Sequence, residues 1–237
     1  MARSSSELAA FGQLRERCFH RDIQDLDGFD PQCEHILVDE CASGALVGGF
    51  RIRLFQVGDT LTDSYCAQFY QLSHLAPRSS PWMELGRFCI APERQDPDIL
   101  RLAWGAVTRL VDHYQVSLLF GCSSFEGTDP ELYREAFSLL QRRHLAPPDW
   151  RPQVKAPEVR RFVDLLKDRP AGQKPDLKQA QAQLPPLLRS YLVLGGCVSD
   201  HVVIDRDLNT CHVFTGLEVE AIPTARQRLL RAVADPK

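Results

Sequence analysis

No stretch of the 237-residue chain stays apolar for the roughly 20 residues that a helix needs to cross a bilayer, which excludes a membrane-spanning helix. Met1-Ala2-Arg3-Ser4-Ser5-Ser6 leads into no hydrophobic core of the signal type, so a cytoplasmic protein is expected. None of the eight cysteines stand as C-x-x-C, and several sit in apolar runs; this is the pattern of reduced, buried thiols rather than of disulfides or zinc ligands. The seven histidines form no H-x-x-x-H pair, and Cys211 and His212, though adjacent, alternate across a strand, so no metal site is expected. No internal repeat is visible. What remains is a chain of 44% apolar and 25% charged residues, ordinary for a globular protein and long enough for one large domain or two small ones.

The net charge of −3 hides two poles. Asp22, Asp25, Asp27, Asp30, Glu34, Asp39 and Glu40 follow one another with no Lys or Arg between them, and can hold a cationic amine. Residues 141–161 carry Arg142, Arg143, Arg151, Lys155, Arg160 and Arg161 against Asp149 and Glu158, and can dock an anionic partner. Both runs are also compatible with plain solvated surfaces.

The chain is organised around Trp82-Met83-Glu84-Leu85-Gly86-Arg87-Phe88-Cys89-Ile90-Ala91-Pro92, an apolar strand that ends at a proline. Its alternation slips by one at Gly86-Arg87, which signals a bulge and backbone N–H groups released from pairing. Glu84 and Arg87 are charges within this buried run. They are either an internal pair that fixes the strand or groups with a chemical use.

Around that strand the pattern predicts a helix over 6–20 capped by Ser5 or Ser6, a hairpin of strands 35–41 and 45–55, and a helix over 63–75 anchored by Tyr65, Phe69 and Leu72. Asp96 and Pro97 open a helix to about Tyr114 whose stripe is Ile99, Leu102, Ala103, Ala106, Val107, Leu110, Val111 and Tyr114, with Trp104 as core. A strand over 116–122 and a helix capped by Thr128 or Asp129 follow, then an extended piece near 158–165. Residues 168–183 read as a mobile excursion or a short helix. A helix over 184–194, a hairpin of 198–205 with 211–219, and a helical tail of low consequence close the chain. The order implies a single α/β (α+β) domain over 1–237, core about 6–220, tail 221–237, with a mixed, bent sheet, helices on both faces and a bulge in the central strand.

This order resembles the GCN5-related acyltransferase (GNAT) fold. Acyl-homoserine-lactone synthases of that fold carry an Arg and a Phe four apart on the first helix, two Asp three apart in the next loop, an Arg on the second strand and Glu-x-x-Arg on the central strand. Here these are Arg15 and Phe19, Asp27 and Asp30, Arg51, and Glu84 with Arg87. The indole those synthases place after the first helix has no counterpart. Three further runs resemble the sister family of ornithine Nα-acyltransferases: Glu84-Leu85-Gly86-Arg87-Phe88-Cys89-Ile90-Ala91-Pro92, Phe120-Gly121-Cys122-Ser123-Ser124-Phe125-Glu126-Gly127-Thr128-Asp129-Pro130, and Asp205-Arg206-Asp207-Leu208-Asn209-Thr210.

The resemblance implies transfer of a 3-hydroxy fatty acyl group from acyl carrier protein to the α-amine of ornithine, giving lyso-ornithine lipid. Glu84 is the candidate base for the ammonium, its pKa raised by burial. Arg87 orients Glu84 or Asp30, or is structural. The N–H groups of Phe88, Cys89 and Ile90 are candidates to bind the oxyanion and to pair with the phosphopantetheine arm. Arg15, Asp27, Asp30 and Arg51 bind the acceptor or order the loop, and Phe19 is a packing residue. Ser123 and Ser124 supply an acid or satisfy strand ends. The glycine-rich, pyrophosphate-binding loop of acetyl-CoA enzymes is missing; Glu93-Arg94-Gln95-Asp96-Pro97-Asp98 stands in its place, which favours a carrier-protein donor over CoA. Arg142, Arg143, Arg151 and Lys155 are the candidate dock for that acidic protein. No permanently bound cofactor and no nucleic acid are expected, and a lipid product makes peripheral contact with the inner face of the membrane an expectation. The alternatives are acylation of another amino acid, a signal synthase using S-adenosylmethionine, and a non-catalytic module that holds acyl carrier protein.

Overall fold

Ser4, rather than Ser5 or Ser6, starts the first helix. Its Oγ accepts the Glu7 N–H at 3.2 Å while Glu7 Oε2 accepts the Ser4 N–H at 3.0 Å, a reciprocal cap that satisfies two donors the helix itself leaves open. A computed structural model of the chain describes residues 1–2, 4–19, 25–73, 75, 79–94, 96–170 and 172–234. The expected helix end at His20, Asp22 of the acidic run, parts of the 77–81 loop, Gln95 and the last residues of the tail lie outside the described residues.

In chain order the elements are α1 (Ser5–Phe19), β1 (Glu34–Asp39), β2 (Leu46–Phe55), β3 (Tyr70–Gln71), β4 (Trp82–Ile90), α2 (Pro97–Tyr114), β5 (Leu118–Glu126), α3 (Arg134–Arg143), β6 (Gln153–Val154), β7 (Val159–Arg161), α4 (Phe162–Leu165), α5 (Leu177–Gln183), α6 (Pro186–Val193), β8 (Cys197–Val198), β9 (His201–Asp205), β10 (Thr210–Glu218) and α7 (Thr224–Ala234). They gather into two compact units. The first comprises Met1–Val57, Arg78–Ser117 and Pro223–Lys237, and the second Gly58–Pro77 and Leu118–Ile222.

In the first unit β2 pairs antiparallel with β1 on one side and β4 on the other. Cys89 faces Gly49 and Gly86 faces Arg51, so Arg87 and Phe88 together stand opposite Phe50. This is the expected bulge. Its left-handed residue is Arg87 (φ 51°), not the adjacent glycine. α1 lies on this sheet through Phe11 and Leu14, which pack with Cys89 and Ala91. Gly49 makes the close approach possible: a Cβ there would stand 2.7 Å from the Phe11 ring and 2.8 Å from the Ile36 carbonyl oxygen. α2 begins as expected, with Asp96 accepting the Asp98 N–H at 2.8 Å and Pro97 in the first turn. Of its apolar stripe, Leu102 is exposed, and Trp104 and Gly105 are buried. The tail covers Gly105. α7 packs on α2, with Val233 so near Gly105 that a Cβ would meet it at 2.8 Å, and Arg231 bridges to Asp112 at 3.0 Å. The tail is therefore a packing element, contrary to expectation.

In the second unit β10 is central, antiparallel to β5, β8 and β9, and β7 extends the sheet from β9. A parallel bridge joins Leu145 to Val198. Phe125, Phe137, Phe162, Leu188 and Val213 are among the residues of its core. The helix expected over 63–75 is instead two 3-10 turns, Leu61–Asp63 and Cys66–Gln68, leading into β3. Ser64 Oγ donates to the Leu61 carbonyl and accepts from the Ala67 N–H, giving the backbone a local alternative to helical bonding, and Tyr70 is drawn into pairing with Val154 of β6. The extended piece near 158–165 is β7 followed by the single turn α4, and the stretch over 168–183 contains the short helix α5, capped by Asp176.

Candidate active site

The site of the first unit is built by three elements that each deliver one arginine. α1 turns Arg15 inward beside its packing residues, β2 contributes Arg51, and the bulge of β4 aims Arg87. Arg15 and Arg51 are buried, and the Arg87 side chain is almost so. Three buried guanidinium groups require counter-charge, and the loop after α1 supplies it. Arg15 Nε lies 2.9 Å from Asp25 Oδ2, and its Nη1 donates to Asp30 Oδ1 at 2.7 Å. Arg51 Nη1 reaches Asp27 Oδ1 at 2.6 Å and Asp30 Oδ1 at 2.8 Å. Arg87 Nη2 donates to Asp27 Oδ2, and its Nε lies near Asp25 Oδ2, both at 3.0 Å. Three positive and three negative groups thus interlock. Faces of Phe11, Phe29 and Phe19 cover Arg15, Arg51 and Arg87 at 5.5, 5.8 and 5.9 Å.

The loop is folded to present its carboxylates. Asp27 Oδ1 accepts the Phe29 N–H at 2.9 Å, Asp30 Oδ2 accepts the Asp27 N–H at 2.7 Å, and Pro31 sits in the 3-10 turn Asp30–Gln32. His35 Nε2 is 3.1 Å from the Asp30 carbonyl oxygen. Burial works against the charge of Asp30, but the bonds from Arg15, the Asp27 N–H and Arg51 outweigh it and hold its pKa down to about 2. Asp27 is lowered in the same way, burial being overcome by Arg51 and Arg87. Arg51 is raised, since Asp27 and Asp30 outweigh the burial of its charge. Burial pushes His35 below its ordinary value, with the Asp30 carbonyl and carboxylate opposing.

Glu84 lies in β4, 5% exposed, in register with Arg53 of β2. Its field, with that of Asp30, adds to the burial that pushes the Cys33 thiol up to about 11, while Arg51 and Arg53 pull it down. Glu84 therefore belongs to the same electrostatic neighbourhood as the network. Phe88 stacks on Phe50 with ring centroids 5.8 Å apart, and Cys89 and Ile90 are matched with Gly49 and Gly48.

The structure thus brings together Arg15, Asp27, Asp30, Arg51 and Arg87, with Phe19 on the last of them. Arg87 was expected on Glu84 or Asp30, and the structure sets its guanidinium against Asp25 and Asp27. Asp25 and His35 were not singled out from the sequence. Asp25 was one of seven acids in a run, and nothing in its spacing set it apart, whereas His35 opens a strand and its contact is to a backbone oxygen.

In the second unit Ser123 is buried and accepts a hydrogen bond from Thr215 Oγ1 at 2.9 Å, and Ser124 is exposed. The basic run divides. Arg142 and Arg143 are exposed at the end of α3. Arg151 binds the Ala146 carbonyl through Nε and Nη2 at 2.8 and 2.6 Å, and Lys155 Nζ donates to the Ala67 carbonyl, so these two hold loops together.

Comparison with known proteins follows this geometry. The acetyltransferase (GNAT) domain family matches residues 9–105. An L-ornithine N(alpha)-acyltransferase of Rhizobium meliloti (strain 1021) is 30% identical over 94% of this chain and 80% of its own length. Those of Brucella abortus (strain 2308) and Rhodobacter capsulatus are 29% and 27% identical, each over 94% of this chain and over 84% and 90% of their own lengths. Among solved structures, FeeM, an N-acyl amino acid synthase from uncultured soil microbes, superposes with a TM-score of 0.51 at 10% identity over 92% of this chain and 93% of its own. The CoA-dependent acyl-homoserine lactone synthase BjaI superposes with a TM-score of 0.51 at 11% identity over 98% of this chain and 84% of its own. These two likenesses concern the fold, which is the expected α/β GNAT type.

Proposed function

Because the chain belongs to the L-ornithine N(alpha)-acyltransferase family, we propose that this acyltransferase carries a 3-hydroxy fatty acyl group from acyl carrier protein to the α-amine of ornithine, giving lyso-ornithine lipid. The observation that carries the site assignment is the saturation of Asp25, Asp27 and Asp30 by arginines. A carboxylate held near 2 is too weak a base to take an ammonium proton near neutrality, which removes Asp30 from that role. Glu84, also buried and beside the network, is the candidate for that role. In this reading Asp27 and Asp30 order the loop, and Arg15, Arg51 and Arg87 hold the bulge in shape. Glu84 takes the proton from the ornithine α-ammonium, directly or through water. The amine attacks the thioester carbonyl, a C–N bond forms, the C–S bond breaks, and the leaving pantetheine thiolate takes up the proton that the new amide nitrogen loses. Backbone N–H groups of Phe88 to Ile90 meet the transient oxyanion.

A carrier-protein donor is favoured by the start of α2. Asp96 already occupies the Asp98 N–H, Pro97 has none to offer, and Arg94 is tied to Glu40 at 2.8 Å. A pyrophosphate there would meet carboxylates rather than open amides. Arg142 and Arg143 remain the dock in this reading, with Arg151 and Lys155 stabilising the loops behind them. Reversing both charges weakens carrier-protein binding by roughly tenfold and leaves stability within about 0.5 kcal/mol, and unchanged binding moves the dock elsewhere.

The reaction is tested by mass spectrometry of purified protein with 3-hydroxyacyl carrier protein and mixed free amino acids. The expected product is ornithine plus the acyl chain. Acylation of a different amino acid keeps the chemistry and changes the acceptor, and binding of donor with no acylation overturns the enzymatic reading.

A further inference from the structure

The second unit buries a polar cluster of a different kind, which acyl transfer at Glu84 does not use. Cys66 begins the 3-10 turn Cys66–Gln68 and Cys122 lies in β5, and their sulfurs stand 3.5 Å apart. His212 of β10 lies near enough to Cys122 to favour its thiolate. Tyr70 fixes His212, donating to its carbonyl at 3.0 Å and lying 3.1 Å from Nδ1. Cys66 is fully buried, and Cys122 is partly exposed. The Cys66 S–H stabilises the Cys122 thiolate and, with the His212 imidazole, holds its pKa down to about 5 against the effect of burial. Where no partner thiol helps, burial pushes Cys33 up to about 11 and Cys211 up to about 12; Cys18, bonded by Cys89, is lowered as Cys122 is. Among the described residues no group of three or more His, Cys, Asp and Glu is arranged to hold a metal ion, so a metal site does not account for the cluster.

We propose that Cys66 and Cys122 are a dithiol that peroxides oxidise, with Cys122 the attacking sulfur, Cys66 the resolving thiol and His212 the neighbour that handles the proton. The Cys122 thiolate attacks one oxygen of hydrogen peroxide. An S–O bond forms, the O–O bond breaks, and the departing hydroxide takes a proton to become water. The Cys66 sulfur then attacks the sulfenic acid of Cys122. The S–S bond forms, its S–O bond breaks, and a second water leaves. Each dithiol thus gives two electrons to one peroxide. The sulfurs need only close from 3.5 Å to ~2.05 Å. As a residue Cys122 is less buried than Cys66, so the first step falls to Cys122 and Cys66 resolves.

The test exposes the reduced, full-length protein to hydrogen peroxide, quenches by alkylation at successive times, and maps peptides without reduction. The expected result is a Cys66–Cys122 linked peptide, with oxidation at Cys122 roughly tenfold faster than at the exposed Cys41. Cys66→Ser stops the reaction at a Cys122 sulfenic acid that dimedone traps, and His212→Asn slows the first step in the otherwise unchanged chain. Alkylation of both Cys66 and Cys122 after peroxide treatment, or oxidation of Cys41 as fast as Cys122 in the unaltered protein, overturns the proposal whatever the variants do.

Discussion

The two units each bury polar groups, and they compensate them by opposite means. In the first, Arg15, Arg51 and Arg87 carry full charge into the interior and are neutralised one for one by Asp25, Asp27 and Asp30. In the second, Cys66, Cys122, His212 and Tyr70 form a contiguous set of polarisable groups in which protons, rather than fixed charges, are shared. Fixed charges need geometry: guanidinium contacts to two carboxylates, Asp25 and Asp27, hold a non-glycine residue, Arg87, in the left-handed region, which costs of order 1–3 kcal/mol on its own. Shared protons leave reactivity instead. In the proposed reading the first cluster serves as a frame, and the second is a site whose protonation can change.

The largest effect that separates frame from chemistry is expected at Glu84. Glu84→Gln keeps the side-chain shape and folds, and turnover drops by about 10²- to 10⁴-fold in an acyl-transfer assay. Normal rates in that variant would place Glu84 in the frame and end its assignment as base. Next comes Arg15→Met, which leaves Asp25 and Asp30 short of counter-charge in the interior. It costs about 3–5 kcal/mol in urea denaturation. Acid probes the same frame without mutation. The Asp30 pKa is lowered in the fold from 3.8 to about 2. Its contribution, about 2 kcal/mol, is complete above pH 4 to 5 and is lost as pH falls through about 2. Asp30→Asn removes that part of the acid limb, and an unchanged limb shows that the pairing contributes nothing. The smallest effect belongs to the second unit, where Tyr70→Phe deletes a hydroxyl bonded to His212 at a cost of about 1–2 kcal/mol. If Tyr70→Phe proves more damaging than Arg15→Met, the contrast between the clusters fails.

Much of the frame was legible in the residues. Asp96-Pro97 predicts the start of α2, the slip at Gly86-Arg87 predicts the bulge, and Arg15, Asp27, Asp30, Arg51 and Arg87, which the resemblance singles out, lie together in the structure. The stretch over 63–75 misled because aromatic spacing suited a helix, while Ser64 offered the backbone its own bonds and Val154 of β6, 84 residues on, claimed Tyr70. Arg151 and Lys155 read as free cations, since sequence does not show which carbonyls, such as those of Ala146 and Ala67, need a donor. The thiols at 66 and 122 looked like apolar filling, and only their convergence makes them a pair.

Taken alone, the sequence determined what is local or chemical in kind: the caps and breaks of α2, the bulge-prone strand, and the supply of arginines and acids from which a balanced interior can be made. Tertiary structure decided who meets whom. It assigned Asp25 to Arg15 and Arg87, exposed Leu102 while burying Gly105 against Val233, and set two distant sulfurs side by side. The reason is that a propensity or a cap acts over a few residues of backbone, whereas the pairing of a buried charge or thiol depends on which segments the whole chain folds together, and the gain in satisfying it appears only once they meet.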